Sequence, residues 1–200
     1  MSNYCDYSMR VQGPYQGVSE FIRTINRDCS YTIGYKNGKP LVYQYDTKGP
    51  HMCRVFEAYT DCDNQLPPLL EDGKSDVYID GYCAWSVASC MMPNHGSYYD
   101  EFKDLLYHVT NLQELSKNHN LNIQVYSDEC GMGFQEHIVI DNGLILDDDC
   151  VDVIHNYNED TDEETIEGGY DNWDFYDANM KSRCVMFSNG CNSVRFENPL

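Results

Sequence analysis

Between Asn118 and Met180 the chain has no lysine or arginine, while 17 aspartates and glutamates fall in the same 63 residues. Gathering like charges costs a compact state stability through self-repulsion, and physiological salt screens that cost only over about 8 Å. A chain with no use for such a field would scatter a few lysines through it. The rest of the sequence is close to balanced: residues 1–117 hold 10 basic and 15 acidic side chains, and residues 181–200 hold 3 and 1. The formal net charge of −20 is therefore mostly the work of one block. A field of this sign repels nucleic acid and anionic membranes and attracts basic surfaces, including nucleic-acid-binding grooves.

Within the block the pattern is that of half-buried strands. Leu121–Tyr126 alternates, and Phe134–Ile140 and Leu144–Leu146 flank Asp141-Asn142-Gly143, a hairpin turn signal. Val151 and Val153 extend the second arm. Beyond Asn156 periodicity fades, and YNEDTDEETIEGGYDNWD reads as a charged loop. Met180 to Phe196 regains apolar residues and reads as an ordered return. Upstream, Tyr4–Val11 alternates up to Gly13-Pro14. Val18, Phe21, Ile22 and Ile25 make the apolar stripe of a helix over 15–27. Tyr31–Tyr35 and Leu41–Tyr45 flank Asn37-Gly38 as a second hairpin, and Met52–Tyr59 and Asp76–Tyr82 read as strands. Cys83 to Val87 could turn helical. Phe102, Leu105, Leu106, Val109, Leu112 and Leu115 predict a helix from Tyr98 that ends at Asn118–Asn120.

Strand–helix–strands followed by strand–helix–strand matches a ferredoxin-like split βαβ plan with extra antiparallel hairpins. The expected class is α+β, with residues 1–155 as the domain and 156–200 as an acidic C-terminal extension packing back on it. A length of 200 residues suits this. MSNYCDYSMRVQG lacks the basic start and apolar run of a secretory signal, and no stretch approaches the roughly 18 apolar residues of a membrane span, so a cytoplasmic location is expected. The 10 cysteines form no CxxC pair, which points to reduced thiols, many packed as small hydrophobes.

Two stretches resemble a family of phage- and plasmid-encoded proteins with a YubB-type ferredoxin-like domain. Asn3-Tyr4-Cys5 through Val11-Gln12-Gly13 to Val18 and Phe21 is similar to the family's opening strand, glycine turn and helix. Gly81-Tyr82-Cys83-Ala84-Trp85-Ser86 to Leu115-Ser116, then Leu121–Ser127, Glu129, Gly131, Gly133-Phe134, Glu136 and Asn142-Gly143, is similar to its later helix, strand and hairpin. The resemblance implies a fold and a home on a mobile genetic element. It brings no activity, and the further step to inhibitors of host defence is analogy.

Candidate chemistry is sparse. Asp147-Asp148-Asp149-Cys150-Val151-Asp152 could offer oxygens to a divalent cation, but a strand would put Asp147 and Asp149 on one face and Asp148, Cys150 and Asp152 on the other. Asn158, Asp160, Asp162 and Glu164 start a calcium-loop pattern that fails at Glu163 and Gly169. Cys83 with His95 or His108 could be drawn as a dyad, and Glu129 with Glu136 as an acid and base, although exposed carboxylates are the simpler reading of the last pair. Trp85 reads as a core anchor. No cofactor or metal is called for.

The reading these features favour is a non-enzymatic acidic protein that inhibits a basic, nucleic-acid-binding host defence protein, of anti-CRISPR or anti-restriction type, by presenting carboxylates in place of phosphates. Its expected contacts are Asp147, Asp148, Asp149, Asp152, Glu159, Asp160, Asp162, Glu163 and Glu164. Tyr157, Tyr170, Trp173 and Tyr176 would serve as aromatic anchors. A small enzyme with a Cys or carboxylate site and a metal-binding accessory protein are the alternatives.

Overall fold

The computed structural model describes residues 4–27, 29–37, 39–60, 66–93, 108–129, 131–158, 161 and 163–169. Alternation builds the first strand, β1 (Tyr4–Pro14), whose Cys5, Tyr7, Met9 and Val11 are fully buried. Helix α1 (Tyr15–Ile25) follows directly and buries Val18, Phe21 and Ile22 along the stripe its spacing predicts. A hairpin comes next, β2 (Cys29–Lys36) and β3 (Lys39–Thr47), with Asn37 at φ 55 in its turn. It forms a two-stranded sheet of its own. Then come β4 (Val55–Thr60) and β5 (Lys74–Ala84), followed by a short helix α2 (Val87–Met91).

Helix α3 (Leu112–His119) is shorter than its sequence predicts. His108 has φ 67, Val109 bridges to His51, and the Asn111 side chain caps a fresh start by accepting the Glu114 N–H at 2.8 Å. The first part of that predicted helix, residues 98–107, lies outside the described residues. The last strands are β6 (Asn122–Glu129), β7 (Phe134–Asp141), β8 (Leu144–Asn158) and β9 (Glu163–Gly168). Strand β9 corrects the expectation of a loop beyond Asn156: Tyr157 pairs with Glu164 and Ile154 with Glu167. The expected return over 180–196 lies outside the described residues.

All main-sheet pairings are antiparallel, in the order β4-β5-β1-β6-β7-β8-β9. The molecule is thus an α+β fold dominated by one large antiparallel sheet. Its core joins α1, α2 and α3 to the inward positions of β1, β5, β6 and β7, such as Met9, Ile79, Ile123 and Ile138. None of the described helices is long and apolar enough to cross a membrane.

The turn that launches β8 is held to α3. Asn142 (φ 47) and Gly143 (φ 81) form its two-residue tip. The Gly143 N–H donates to Ser116 Oγ at 2.9 Å, and Gln113 Nε2 donates to the Gly143 carbonyl at 3.0 Å. A side chain at Gly143 would meet Lys117 and would be strained at this φ. The outer strand therefore leaves the core in a fixed direction.

Candidate functional site: an acidic outer strand

The segregation of charge along the sequence becomes segregation in space. Strands β6, β7, β8 and β9 are successive neighbours at one end of the sheet, and they contain no lysine or arginine. The other half of the same sheet is β4, β5 and β1, joined to them where β1 pairs with β6. Four inter-strand steps divide β5 from β8, roughly 19 Å at about 4.8 Å per step. That is more than twice the screening length at physiological salt.

The register places each acid of β8. Asp147 lies opposite Val139 and Asp149 opposite His137 on one face of the sheet. Asp148 lies opposite Ile138 and Asp152 opposite Phe134 on the other face. The four carboxylates therefore form a two-faced acidic edge and not the single anionic face that a docking surface would most simply use. Asp148, Asp149 and Asp152 are exposed, and Asp147 is partly so. Strand β9 pairs only with Val153–Asn158, so among the described residues 144–152 have a strand partner on one side alone. Charge on such an edge discourages edge-to-edge aggregation. That purpose would be served equally well by lysine, which is absent.

Tyr157 is exposed in the paired half of β8. Glu163 and Glu164 stand opposite Asn158 and Tyr157 on β9. Glu159, Asp160, Asp162, Tyr170, Trp173 and Tyr176 lie outside the described residues.

Behind the edge runs a polar network that the sequence did not reveal. His137 Nδ1 meets Asp147 Oδ2 at 2.6 Å, and the His137 ring stacks on Tyr126 at 4.2 Å between centroids. Gln135 Nε2 donates to Asp128 Oδ2 at 2.9 Å, and Ser8 Oγ donates to Asp80 Oδ1 at 2.5 Å. Arg10 makes a bidentate pair with Asp76, at 2.9 and 2.6 Å. Tyr126, Asp128, Gln135, Arg10 and Asp80 are all buried. These polar positions of β1, β5, β6 and β7 therefore form a hydrogen-bonded layer, with Asp147 and Asp149 at its rim. Strand alternation at Asp76-Val77-Tyr78-Ile79-Asp80 carried the signal. What it could not carry is which strands become neighbours.

Burial and the local field act together on the ionisable groups nearby. The exposed Cys150 thiol is pushed up by partial burial and then by Glu136, Asp152 and Asp149. A thiol held protonated in this way is a poor nucleophile. Asp6 is raised by burial and then by Asp128.

Glu129 and Glu136 correct the expectation of exposed carboxylates, since both are buried. Glu129 accepts the Met132 N–H inside the β6–β7 turn. Glu136 accepts the Val87 and Ala88 N–H groups at 2.8 and 3.2 Å and the Ser127 hydroxyl at 2.5 Å. It thus fixes the start of α2. Burial nevertheless raises its pKa, against the pull of these donors. Trp85 is 40% exposed at φ 68, so it is no core anchor. Cys83 is fully buried beside Cys5 and Cys90, and burial pushes its thiol well up, the reverse of an activated thiolate. Exposed His108 is described, while His95 is not. Among the described residues no group of three or more His, Cys, Asp or Glu side chains is placed to hold a metal ion.

A pH dependence follows from the raised carboxyls. Because the folded state keeps the Asp6 and Glu136 protons to higher pH than the unfolded chain does, it binds more protons over that interval, and stability falls as pH rises. The contribution is complete below the ordinary values of 3.8 and 4.5 and is lost as pH climbs through the raised folded values. Self-repulsion of the net charge acts in the same direction. Buried His51 acts the other way nearer its ordinary value of 6.5, because burial lowers its pKa. Thermal melts should therefore show the fall in Tm in the carboxyl range, from about pH 4 to about pH 5.5. A Tm that rises steadily over that range would show that these carboxyls are not held as described.

No family model matches the chain, and neither the curated proteins nor the solved structures include a significant match.

Proposed function

We propose that this chain is a non-enzymatic binding protein that occupies the cationic groove of a nucleic-acid-binding protein, with the β8 edge standing in for a phosphate backbone. The observation that supports the reading most is the cation-free end of the sheet, whose outer strand exposes Asp148, Asp149 and Asp152. Same-face residues of a strand repeat every ~6.8 Å, a spacing of the same order as that of successive phosphates. Acids on both faces suit a groove that closes around its ligand from two sides, as a DNA channel does. Lysines and arginines that would neutralise phosphates would meet carboxylates instead, in pairs that guanidinium groups can make bidentate.

The ferredoxin-like plan belongs to the same proposal. The order β4-β5-β1-β6, with α1 between β1 and β4 and α3 before β6, supports reading these elements as a split βαβ core. On this reading β2–β3 is an insert and β7, β8 and β9 are an added meander that carries the acidic edge. Such a protein, encoded by a phage or plasmid, would act in the host cytoplasm on a CRISPR effector or a restriction enzyme.

Titrating the chain into DNA-cleavage reactions of a panel of such nucleases tests this. Inhibition of at least one is expected at ~50 mM salt, with the half-inhibiting concentration rising at least about tenfold by ~250 mM as screening and counterion competition take over. Inhibition unchanged by salt, or none across the panel, would contradict the proposal.

A further inference from the structure

At the other end of the sheet lies a second surface that the acidic edge does not use. Tyr4, Phe56 and Tyr82 form a three-ring cluster: Tyr4 meets Phe56 edge-on at 5.5 Å and Tyr82 edge-on at 5.4 Å, and Phe56 lies 6.0 Å from Tyr82. Tyr4 is 57% exposed and Phe56 is 44% exposed. A purely structural cluster would bury more of its rings, since aromatic side chains carry a large hydrophobic gain.

The backbone departs from regularity to present this cluster. Register slips between Val55 and Glu57, which makes Phe56 the extra residue of a bulge in β4. Arg54, just before it, sits at φ 57, a left-handed conformation uncommon for a residue other than Gly, Asn or Asp. Bulges of this kind re-aim side chains at strand edges and beside functional sites. Here the result is to carry Phe56 onto Tyr4 and Tyr82.

Carboxylates flank the rings. Across the sheet Tyr82 lies opposite Glu57 on one side and Asp6 on the other. Glu57 lies close enough to the Tyr82 hydroxyl to raise its pKa, and a carboxylate so placed keeps further acceptor capacity. Asp6 is half-buried close to Asp128, so it stands next to a like charge. The combination of exposed ring faces and edges with a carboxylate on either side matches the two ways a guanidinium binds, stacking on an aromatic ring and donating a pair of hydrogen bonds to a carboxylate. An ammonium shares the charge but neither the plane nor the fork.

We propose that the Tyr4–Phe56–Tyr82 cluster, with Glu57 and Asp6 beside it, is a binding site for an arginine side chain of a partner protein. It is separate from the β8 edge and stands or falls independently of it. The rings supply the stacking platform, and the two carboxylates set charge and orientation.

The test uses the full chain and two small probes, N-acetyl-argininamide and N-acetyl-lysinamide, followed through the ring resonances of Tyr4, Phe56 and Tyr82. Saturable shifts are expected with the arginine probe, with affinity at least threefold above that for the lysine probe. Phe56→Ala should abolish the preference, and the exposure of that side chain means the variant keeps its fold. Glu57→Gln should weaken the arginine probe about threefold or more and leave the ring cluster in place. Equal affinity for the two probes, shifts that never saturate, or an arginine preference that survives Phe56→Ala would each overturn the assignment.

Discussion

Gly81→Ala is expected to lower the unfolding free energy by about 3 kcal/mol, the upper end of what overpacking costs. Tyr7, fully buried on β1, reaches across β5 at Gly81 and donates its hydroxyl to the Glu57 carbonyl on β4 at 3.0 Å. A methyl group at Gly81 would sit 2.6 Å from the Tyr7 hydroxyl and nearer still to the Glu57 carbonyl oxygen. One of those groups is backbone and the other is a ring with no room to turn. Either β4 moves away or Tyr7 gives up its hydrogen bond, which alone is worth about 1 kcal/mol. Tyr7→Phe removes only that bond and should cost correspondingly less. Urea denaturation of the two variants checks the order. A Gly81→Ala protein within about 0.5 kcal/mol of wild type would mean that β4 is not seated on β5 as described. The effect is large against the ~5–15 kcal/mol that holds a typical domain together.

Gly81 also shows where sequence reading stops. Alternation places Tyr7 inward on β1, and the Asp76–Tyr82 pattern marks a strand. Nothing in either segment says that the two pair with Tyr7 opposite Gly81. Pairing is a non-local choice, settled by which apolar faces can share one core. For the same reason the Asn142-Gly143 hairpin was readable from its turn, whereas the bulge between Val139 and Ile140 that sets Asp149 opposite His137 was not. Local chemistry that competes with periodicity was missed as well. The apolar spacing across His108–Leu115 favours continuous helix, but the Asn111 cap and the Val109–His51 bridge divide it. Glu136 looked like an exposed carboxylate because its donors, Val87 and Ala88, lie 49 and 48 residues away. The charge pattern was the most legible feature. It identified the acids of β8, and the alternation of a strand implied their division between two faces. It did not indicate that Asp6 and Glu57 would meet an aromatic cluster, since those residues come from the part of the chain whose charges nearly balance.

The β8 edge is the claim on which the functional account turns, and a charge-matched comparison isolates it from net charge. Asp149→Lys/Asp152→Lys places one reversal on each face of β8. Glu71→Lys/Asp72→Lys makes the same change in net charge in the exposed turn before β5, roughly 19 Å of sheet away. The measurement is the affinity of each protein for a fluorescein-labelled nona-arginine peptide at ~100 mM salt. The β8 variant should bind about 30-fold more weakly than wild type, because two favourable contacts become like-charge contacts at a combined cost of about 2 kcal/mol. The turn variant should stay within about twofold. Equal losses in the two variants would show that the peptide senses only the overall charge of the molecule, and the acidic edge would then have no special part in binding.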